Sequence, residues 1–135
     1  MTLFGKEHID RYVATDGEDG YQWLNGTTIL ILTANGRKSG KPHSHALIFR
    51  EYGDDYLVVA SKGGADDPPD WYLNVQADPQ VEVQIKGERF AARARTATAA
   101  EKPDMWARMT EVWPDYDTYQ KTTSREIPVV VLKRA

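Results

Sequence analysis

The amino-acid sequence predicts an α+β fold: a small antiparallel β-barrel of about six strands, with an N-terminal helix and helices inserted late in the chain. Three observations carry that expectation. Six short segments are β-branched or alternate in polarity, and turns rich in Gly, Asn and Asp separate most of them. Helical periodicity is confined to residues 3–14, 69–77 and about 100–113. The chain has 135 residues, 41% of them hydrophobic, and no cysteine. A chain of that length fits one domain and buries roughly two-thirds of its unfolded surface, so it needs no disulfide or thiolate-metal staple.

The elements follow in order. Residues 3–14 place Ile9, Tyr12 and Val13 at helical spacing, and Gly17 and Gly20 break the pattern. Residues 1–26 thus read as an N-terminal helical segment and 27–135 as the barrel. Thr28 to Thr33 is short, apolar and β-branched, as a strand buried on both faces should be. Asn35-Gly36 and Ser39-Gly40 mark a turn-rich connection ending at Pro42. Residues 44–51 and 56–61 flank Gly53-Asp54-Asp55, a hairpin signal. Val81, Val83 and Ile85 alternate with Glu82, Gln84 and Lys86; beyond Gly87, Phe90, Ala92 and Ala94 face one way and Arg89, Arg93 and Arg95 the other. Ile127 to Leu132 closes the sheet, with Pro128 tolerable only near a strand start or edge. The helix over 69–77 lies between Pro68-Pro69 and Asp78-Pro79, and the one over 100–113 gathers Met105, Trp106, Met109, Val112 and Trp113 on one face. Two start signals compete for this last helix. Thr98 and Glu101 form a capping box, whereas Pro103 prefers the first helical position.

Charge excludes some partners. Seventeen Lys+Arg against 20 Asp+Glu give a net charge of −3, which argues against a nucleic-acid binder. The distribution is uneven: no acidic residue lies between Gly20 and Arg50, where Arg37, Lys38, Lys41 and Arg50 all fall. The longest aliphatic stretches, Ile29 to Leu32 and Val129 to Leu132, are far short of the ~20 residues that span a bilayer. The N-terminal residues show no leader-like pattern, so the expected location is cytoplasmic. Glu7, Asp10, Asp16, Glu18 and Asp19 disfavour peripheral association with an anionic membrane.

Two loops carry chemistry. Gly36-Arg37-Lys38-Ser39-Gly40-Lys41-Pro42 combines cationic side chains, a hydroxyl and loop amides, the equipment for holding phosphate or carboxylate. It is not a Walker A loop, because the glycine spacing is one short, no Ser or Thr follows Lys41, and Pro42 forbids a helix there. A solvated basic turn is the plain alternative. Ala60-Ser61-Lys62-Gly63-Gly64 is a second cationic loop after a buried strand. A ligand with anionic groups at one end would use both.

His43 and His45 share one strand face with Glu51, which leaves a metal-binding barrel as an alternative. The stretch Ala46 to Arg50 is too long for that ligand pattern, and a role beside an anion suits the imidazoles better. There is no Gly-x-Ser-x-Gly elbow, and Ser44 and His45 point to opposite faces, against a hydrolase. Asp66, Asp67 and Asp70 read as a solvated loop and helix start. Trp113, Tyr116 and Tyr119 recur every three residues, and Trp71-Tyr72 forms a separate pair. These rings either line a pocket for a flat conjugated molecule or cap the barrel as core. Tyr hydroxyls, with an ordinary pKa near ~10, are protonated at neutral pH and suited to donating to a reduced substrate oxygen.

Several motifs in one order complete the picture: Thr33-Ala34-Asn35-Gly36-Arg37-Lys38-Ser39-Gly40-Lys41-Pro42, Val59-Ala60-Ser61-Lys62-Gly63-Gly64, Trp71-Tyr72-Leu73-Asn74 with Asp78-Pro79, Trp113-Pro114-Asp115-Tyr116 with Tyr119-Gln120, and Arg125-Glu126-Ile127-Pro128-Val129-Val130. From Thr27 to Leu132 the sequence resembles the deazaflavin (coenzyme F420)-dependent nitroreductase family of split β-barrel oxidoreductases. That resemblance implies hydride transfer from reduced F420 to a conjugated electrophile, such as a quinone or a nitroaromatic. Arg37, Lys38, Ser39, Ser61 and Lys62 match positions that hold the cofactor's phosphate and glutamate tail. His43, Ser44, His45, Ala46, Leu47 and Ile48, with Val59 and Ala60, and Asp70, Trp71, Tyr72, Leu73 and Asn74, match segments flanking the deazaflavin. Tyr116 matches a tyrosine beside the ring, with Tyr119 and Trp113 on the substrate side. Two positions depart from the pattern: His43 stands where an arginine is common, and Trp113 where a tyrosine is often found. Alternatives are an FMN-binding barrel, a carrier without catalysis, and a small metal-binding barrel around His43 and His45.

Overall fold

Alternating polarity and β-branched runs produce six strands in the computed structural model, which describes residues 2–135. They are β1 (Thr28–Asn35), β2 (Pro42–Tyr52), β3 (Asp55–Val59), β4 (Gln80–Ile85), β5 (Glu88–Thr96) and β6 (Val129–Arg134). The helices are α1 (Gly5–Ala14), α2 (Asp70–Ala77), α3 (Lys102–Thr110) and α4 (Asp115–Thr122). All strand pairs are antiparallel, and the order β1-β2-β3-β6-β5-β4 closes on itself as a barrel. The expected α+β barrel of six strands is the fold. Among the described residues no helix is long and apolar enough to cross a membrane.

The two-residue period of each strand sorts side chains between two compartments. Leu30, Leu32, Phe49, Val58, Val83, Ala92, Ala94, Val130 and Leu132 fill the barrel, joined by Trp71, Tyr72 and Val75 from α2. Leu57, Val59, Val129 and Val131 face outward and are covered by Met105 and Met109 of α3 and Tyr116 of α4. On another outer face Ile29 and Ile31 receive Tyr12 of α1, whose hydroxyl donates to the Ile29 carbonyl (2.9 Å) and accepts from the Lys86 amide (2.8 Å).

Pairing is uneven around the barrel. Residues 42–49 of β2 pair with β1 throughout, but β2 meets β3 only where Arg50, Glu51 and Tyr52 face Leu57, Tyr56 and Asp55. From 43 to 49 the β3-side edge of β2 has no strand partner among the described residues. This is the split in the barrel. It leaves backbone donors and acceptors open to other partners.

Local details depart from the sequence expectation. The helix expected over 100–113 is α3 alone (Lys102–Thr110), and a second helix, α4, follows at Asp115–Thr122. Pro114 causes the break: it has no amide to donate and disfavours helical backbone at Trp113. Both start signals of α3 are used. Glu101 N–H donates to Thr98 Oγ1 (3.2 Å) and Thr98 N–H to Glu101 Oε1 (3.0 Å), while Pro103 sits in the first helical turn. Arg95 grips the Glu101 carboxylate with two bonds of 2.7 and 2.8 Å. That pairing, with the Thr98 amide, holds the carboxyl at about 2. The strand expected over 56–61 ends at Val59. Gln84, expected to face out, is buried and donates to the Lys86 carbonyl (2.9 Å) beneath the segment that follows α1.

Candidate functional site

The free edge of β2 forms one wall of a cleft of about 400 Å³. His45, Ala46, Leu47 and Ile48 come from β2; Val59, Ser61, Lys62 and Gly63 come from the end of β3 and the loop after it. Pro69 and Trp71 enter from the start of α2, and Trp113, Tyr116 and Tyr119 from the α3–α4 region. Eleven of the sequence-predicted positions therefore share one cavity: His45, Ala46, Leu47, Ile48, Val59, Ser61, Lys62, Trp71, Trp113, Tyr116 and Tyr119. A larger depression of about 1070 Å³ is lined by Arg11, Asp16, Glu18, Asp19 and Lys86 among others. It contains none of the predicted residues, and its Arg11 is already paired with Asp19 at 2.7 Å.

The aromatic wall is ordered by ring contacts. Tyr116 and Tyr119 meet edge to face at 6.1 Å, and Trp113 Nε1 donates to the Tyr119 hydroxyl at 3.3 Å. The Tyr116 hydroxyl has no protein hydrogen-bond partner among the described residues and is reached from the cleft. Burial, reinforced by Tyr119, pushes the Tyr116 phenol far above its ordinary value, so it stays protonated. Burial pushes the His45 imidazole down; His43 adds to that, and Asp70 opposes it. His45 is therefore a neutral hydrogen-bonding group at pH 7. His43 and His45 do share a face of β2, but no cluster of three potential metal ligands exists among the described residues.

The basic loop over 36–41 is closed by its own bonds, Gly36 N–H to the Lys41 carbonyl and Gly40 N–H to the Gly36 carbonyl, both 2.8 Å. Ser39 Oγ accepts from the Lys41 amide at 3.1 Å and lies 3.4 Å from His43 Nε2. A side chain at Gly36 would collide with both, at 2.8 Å from Ser39 Oγ and 2.9 Å from His43 Nε2. Arg37 turns toward α2. Its amide and its Nη1 both donate to Asn74 Oδ1 (3.1 and 2.8 Å), and Nη2 stands 3.6 Å from Asp70. The loop thus adjoins the cleft at the start of α2. Lys38, Lys41 and Lys62 enter no ion pair among the described residues.

Other predicted positions serve as supports. Ser44 Oγ bonds Thr33 Oγ1 (2.7 Å), Tyr72 directs its hydroxyl to Thr96 Oγ1 (2.7 Å), and Ala60 is fully buried in the barrel. Leu73 is half-buried on α2. None of these four lines the cleft.

Sequence reasoning did not identify the cover of the cleft. Phe4, Gly5, His8 and Ile9 from α1 and the residue before it, with Trp23 and with Ile29 of β1, complete the lining. Trp23 stacks on Trp113 (5.8 Å, 23°), Phe4 meets Trp23 edge-on (5.6 Å), and the Trp23 indole donates to the Leu3 carbonyl (2.9 Å). His8 Nε2 donates to the Gly20 carbonyl at 2.8 Å, which fixes α1 against the following turn. An isolated tryptophan in a polar stretch was the available signal, and spacing gave it no partner.

In chemistry the cleft suits a flat heterocycle with an anionic tail: aromatic walls, an unpaired strand edge, and lysines not neutralised by carboxylates. Comparison with known proteins agrees. The family model for F420H2-dependent quinone reductases matches residues 4–134. An F420H2-dependent quinone reductase of Mycobacterium tuberculosis is 38% identical over 132 residues, covering 94% of this chain and 87% of its own length. A solved F420-H2 dependent reductase is 38% identical with a TM-score of 0.72, over 78% of this chain and 93% of that one. A structure described as a domain-swapped dimer is 35% identical with a TM-score of 0.75, over 95% and 96% of the two chains. Matching motifs, barrel and relatives lead to one assignment: the chain belongs to the F420H2-dependent quinone reductase family and is an F420-dependent oxidoreductase.

Proposed function

We propose that the split between β2 and β3 holds reduced F420 and that a quinone is reduced to its hydroquinone beside Tyr116. The observation that carries this reading is the unpaired edge of β2, which opens beside a buried, protonated phenol and an unneutralised lysine. F420H2 supplies the hydride when bound. The backbone groups of residues 45–48 orient the ring edge, and Trp71 gives it a flat wall. Ser61 and Lys62, with the loop bearing Arg37, Lys38 and Ser39, hold the anionic tail. Asp70 and Asn74 act through Arg37, holding that loop against α2. Trp23, Trp113 and Phe4 cover the substrate side and keep water out.

Tyr116 O–H donates its proton to the quinone oxygen that gains electron density as hydride arrives. Hydride and that one proton make up the hydroquinone, and the phenolate left behind regains its proton from water. A raised phenol pKa leaves Tyr116 fully protonated before each turnover. Three of the four tryptophans, Trp23, Trp71 and Trp113, line the cleft, which makes intrinsic fluorescence a direct probe. F420 is expected to quench it saturably, and FMN or divalent metals to have little effect. Tight FMN binding with no response to F420 refutes the reading.

A further inference from the structure

We infer that Arg125 is the positioning residue for the loop 60–65, shaping it into the grip for the cofactor's anionic tail. The inference rests on the proposed role of that loop. Arg125 opens the Arg-Glu-Ile-Pro-Val-Val motif and does not line the cleft. Its guanidinium makes no ion pair among the described residues. It spends its donors on main-chain carbonyls of one loop. Nε donates to Ala65 (2.8 Å), Nη2 to Ser61 (2.8 Å), and Nη1 and Nη2 both to Ala60 (3.3 Å each).

The loop needs such a clamp. Ser61 is right-handed helical (φ −84°, ψ −37°), and then Lys62, Gly63 and Gly64 all have positive φ (46°, 63° and 86°). A side-chain-bearing residue in the left-handed region is disfavoured by roughly 1–2 kcal/mol. A right-handed residue followed by a left-handed one turns successive amides to the same side, a concave nest for an anion. The amides of Lys62 and Gly63 have no backbone acceptor among the described residues. A trans peptide sets its N–H opposite its C=O, so the Ser61 carbonyl drawn to Arg125 turns the Lys62 amide away from the guanidinium, and the Lys62 side chain lines the cleft. Peptide units polarised by a cation at their oxygens also make better donors at their nitrogens.

The clamp is tied to the aromatic wall. Gln120 of α4 donates from Nε2 to the Arg125 carbonyl (2.8 Å) and accepts from the Ile127 amide at Oε1 (2.9 Å). Thr122, also of α4, donates to the Gly64 carbonyl (3.1 Å). Tail grip and Tyr116 therefore sit on one connected unit.

The test compares two ligands by tryptophan fluorescence: F420, and its deazaflavin core lacking phosphate and glutamates. Wild-type protein, Arg125→Met and Arg125→Lys are each titrated with both. Arg125→Met should weaken F420 by about tenfold or more while core affinity stays within about twofold, and Arg125→Lys should fall between. Unchanged F420 affinity in Arg125→Met, or equal weakening of both ligands, overturns the inference. If Arg125→Met does not fold, Arg125→Lys decides: an F420-selective loss supports the inference, and no loss or an equal one overturns it. Wild-type protein that binds F420 no better than the core refutes the tail reading itself, and the inference with it. A wild type that discriminates, beside Arg125 variants that discriminate to the same degree, refutes the inference alone.

Discussion

Replacing Gly64 by alanine tests the loop–α4 junction most sharply, because Gly63 provides an internal control. Both residues are left-handed, with φ of 86° and 63°. Around Gly63 a Cβ meets nothing within 4 Å. At Gly64 it would overlap Thr122 Oγ1 and lie 2.8 Å from the Tyr119 carbonyl oxygen and 3.0 Å from the Tyr119 Cα. The left-handed conformation disfavours alanine by roughly 1–2 kcal/mol, offset in part by ~0.4–1 kcal/mol from a stiffer unfolded chain. Gly63→Ala should therefore cost about 1 kcal/mol. Gly64→Ala adds the overlap with α4 backbone, which cannot rotate away, for a further ~1–3 kcal/mol. At about 4 °C per kcal/mol, the two variants should lie roughly 4–12 °C apart in Tm. Urea and thermal unfolding measure the difference. Gly64→Ala should also lose turnover, because relief of the overlap pushes away the helix that carries Tyr116 and Tyr119. Equal stability of the two variants would refute the reasoning that close packing, and not backbone conformation alone, requires glycine at 64.

Other outcomes follow from the same geometry. Tyr116→Phe should bind F420 normally and turn over about 10²-fold more slowly, as expected when a general acid is removed; unchanged kcat would reduce Tyr116 to packing. Lys38→Ala combined with Lys62→Ala should weaken F420 binding and flatten its salt dependence, measured from 50 to 500 mM salt, over which the Debye length shrinks about threefold; unchanged binding would make both loops solvated turns. Glu101 has its folded pKa held at about 2, below the unfolded value near 4.5, by Arg95 first and the Thr98 amide second. Its contribution is thus present above pH ~4.5 and lost as pH falls toward 2. Acid titration of stability in Glu101→Gln should be flatter than wild type across that window, and identical curves would rule the linkage out.

The fold was largely legible because its signals are local. Alternation at Val81, Val83 and Phe90, Ala92, Ala94 set which faces fill the barrel, and burial follows that parity. The α4 helix was missed because Asp115 to Thr122 is polar and short, with only Tyr116 buried, so it carries no apolar stripe. Within the site, motif residues on β2, the loop after β3 and the tyrosines meet in one cleft. Tyr72 and Ala60 lie in the same motifs yet face the barrel interior, because where each side chain points is set by how α2 and the end of β3 pack on the barrel and not by the motif they share.

From the chain alone came the barrel, its basic loops, its aromatic triplet and the family they resemble, since each is encoded within a dozen residues. Only the tertiary structure decided where β2 parts from β3, that α1 and Trp23 cover the opening, and that Arg125 clamps carbonyls some 60–65 residues earlier in the chain. The reason is physical: pairing length, lid placement and a guanidinium's choice of acceptor depend on contacts between distant segments. No local periodicity records those contacts before the chain has closed on itself.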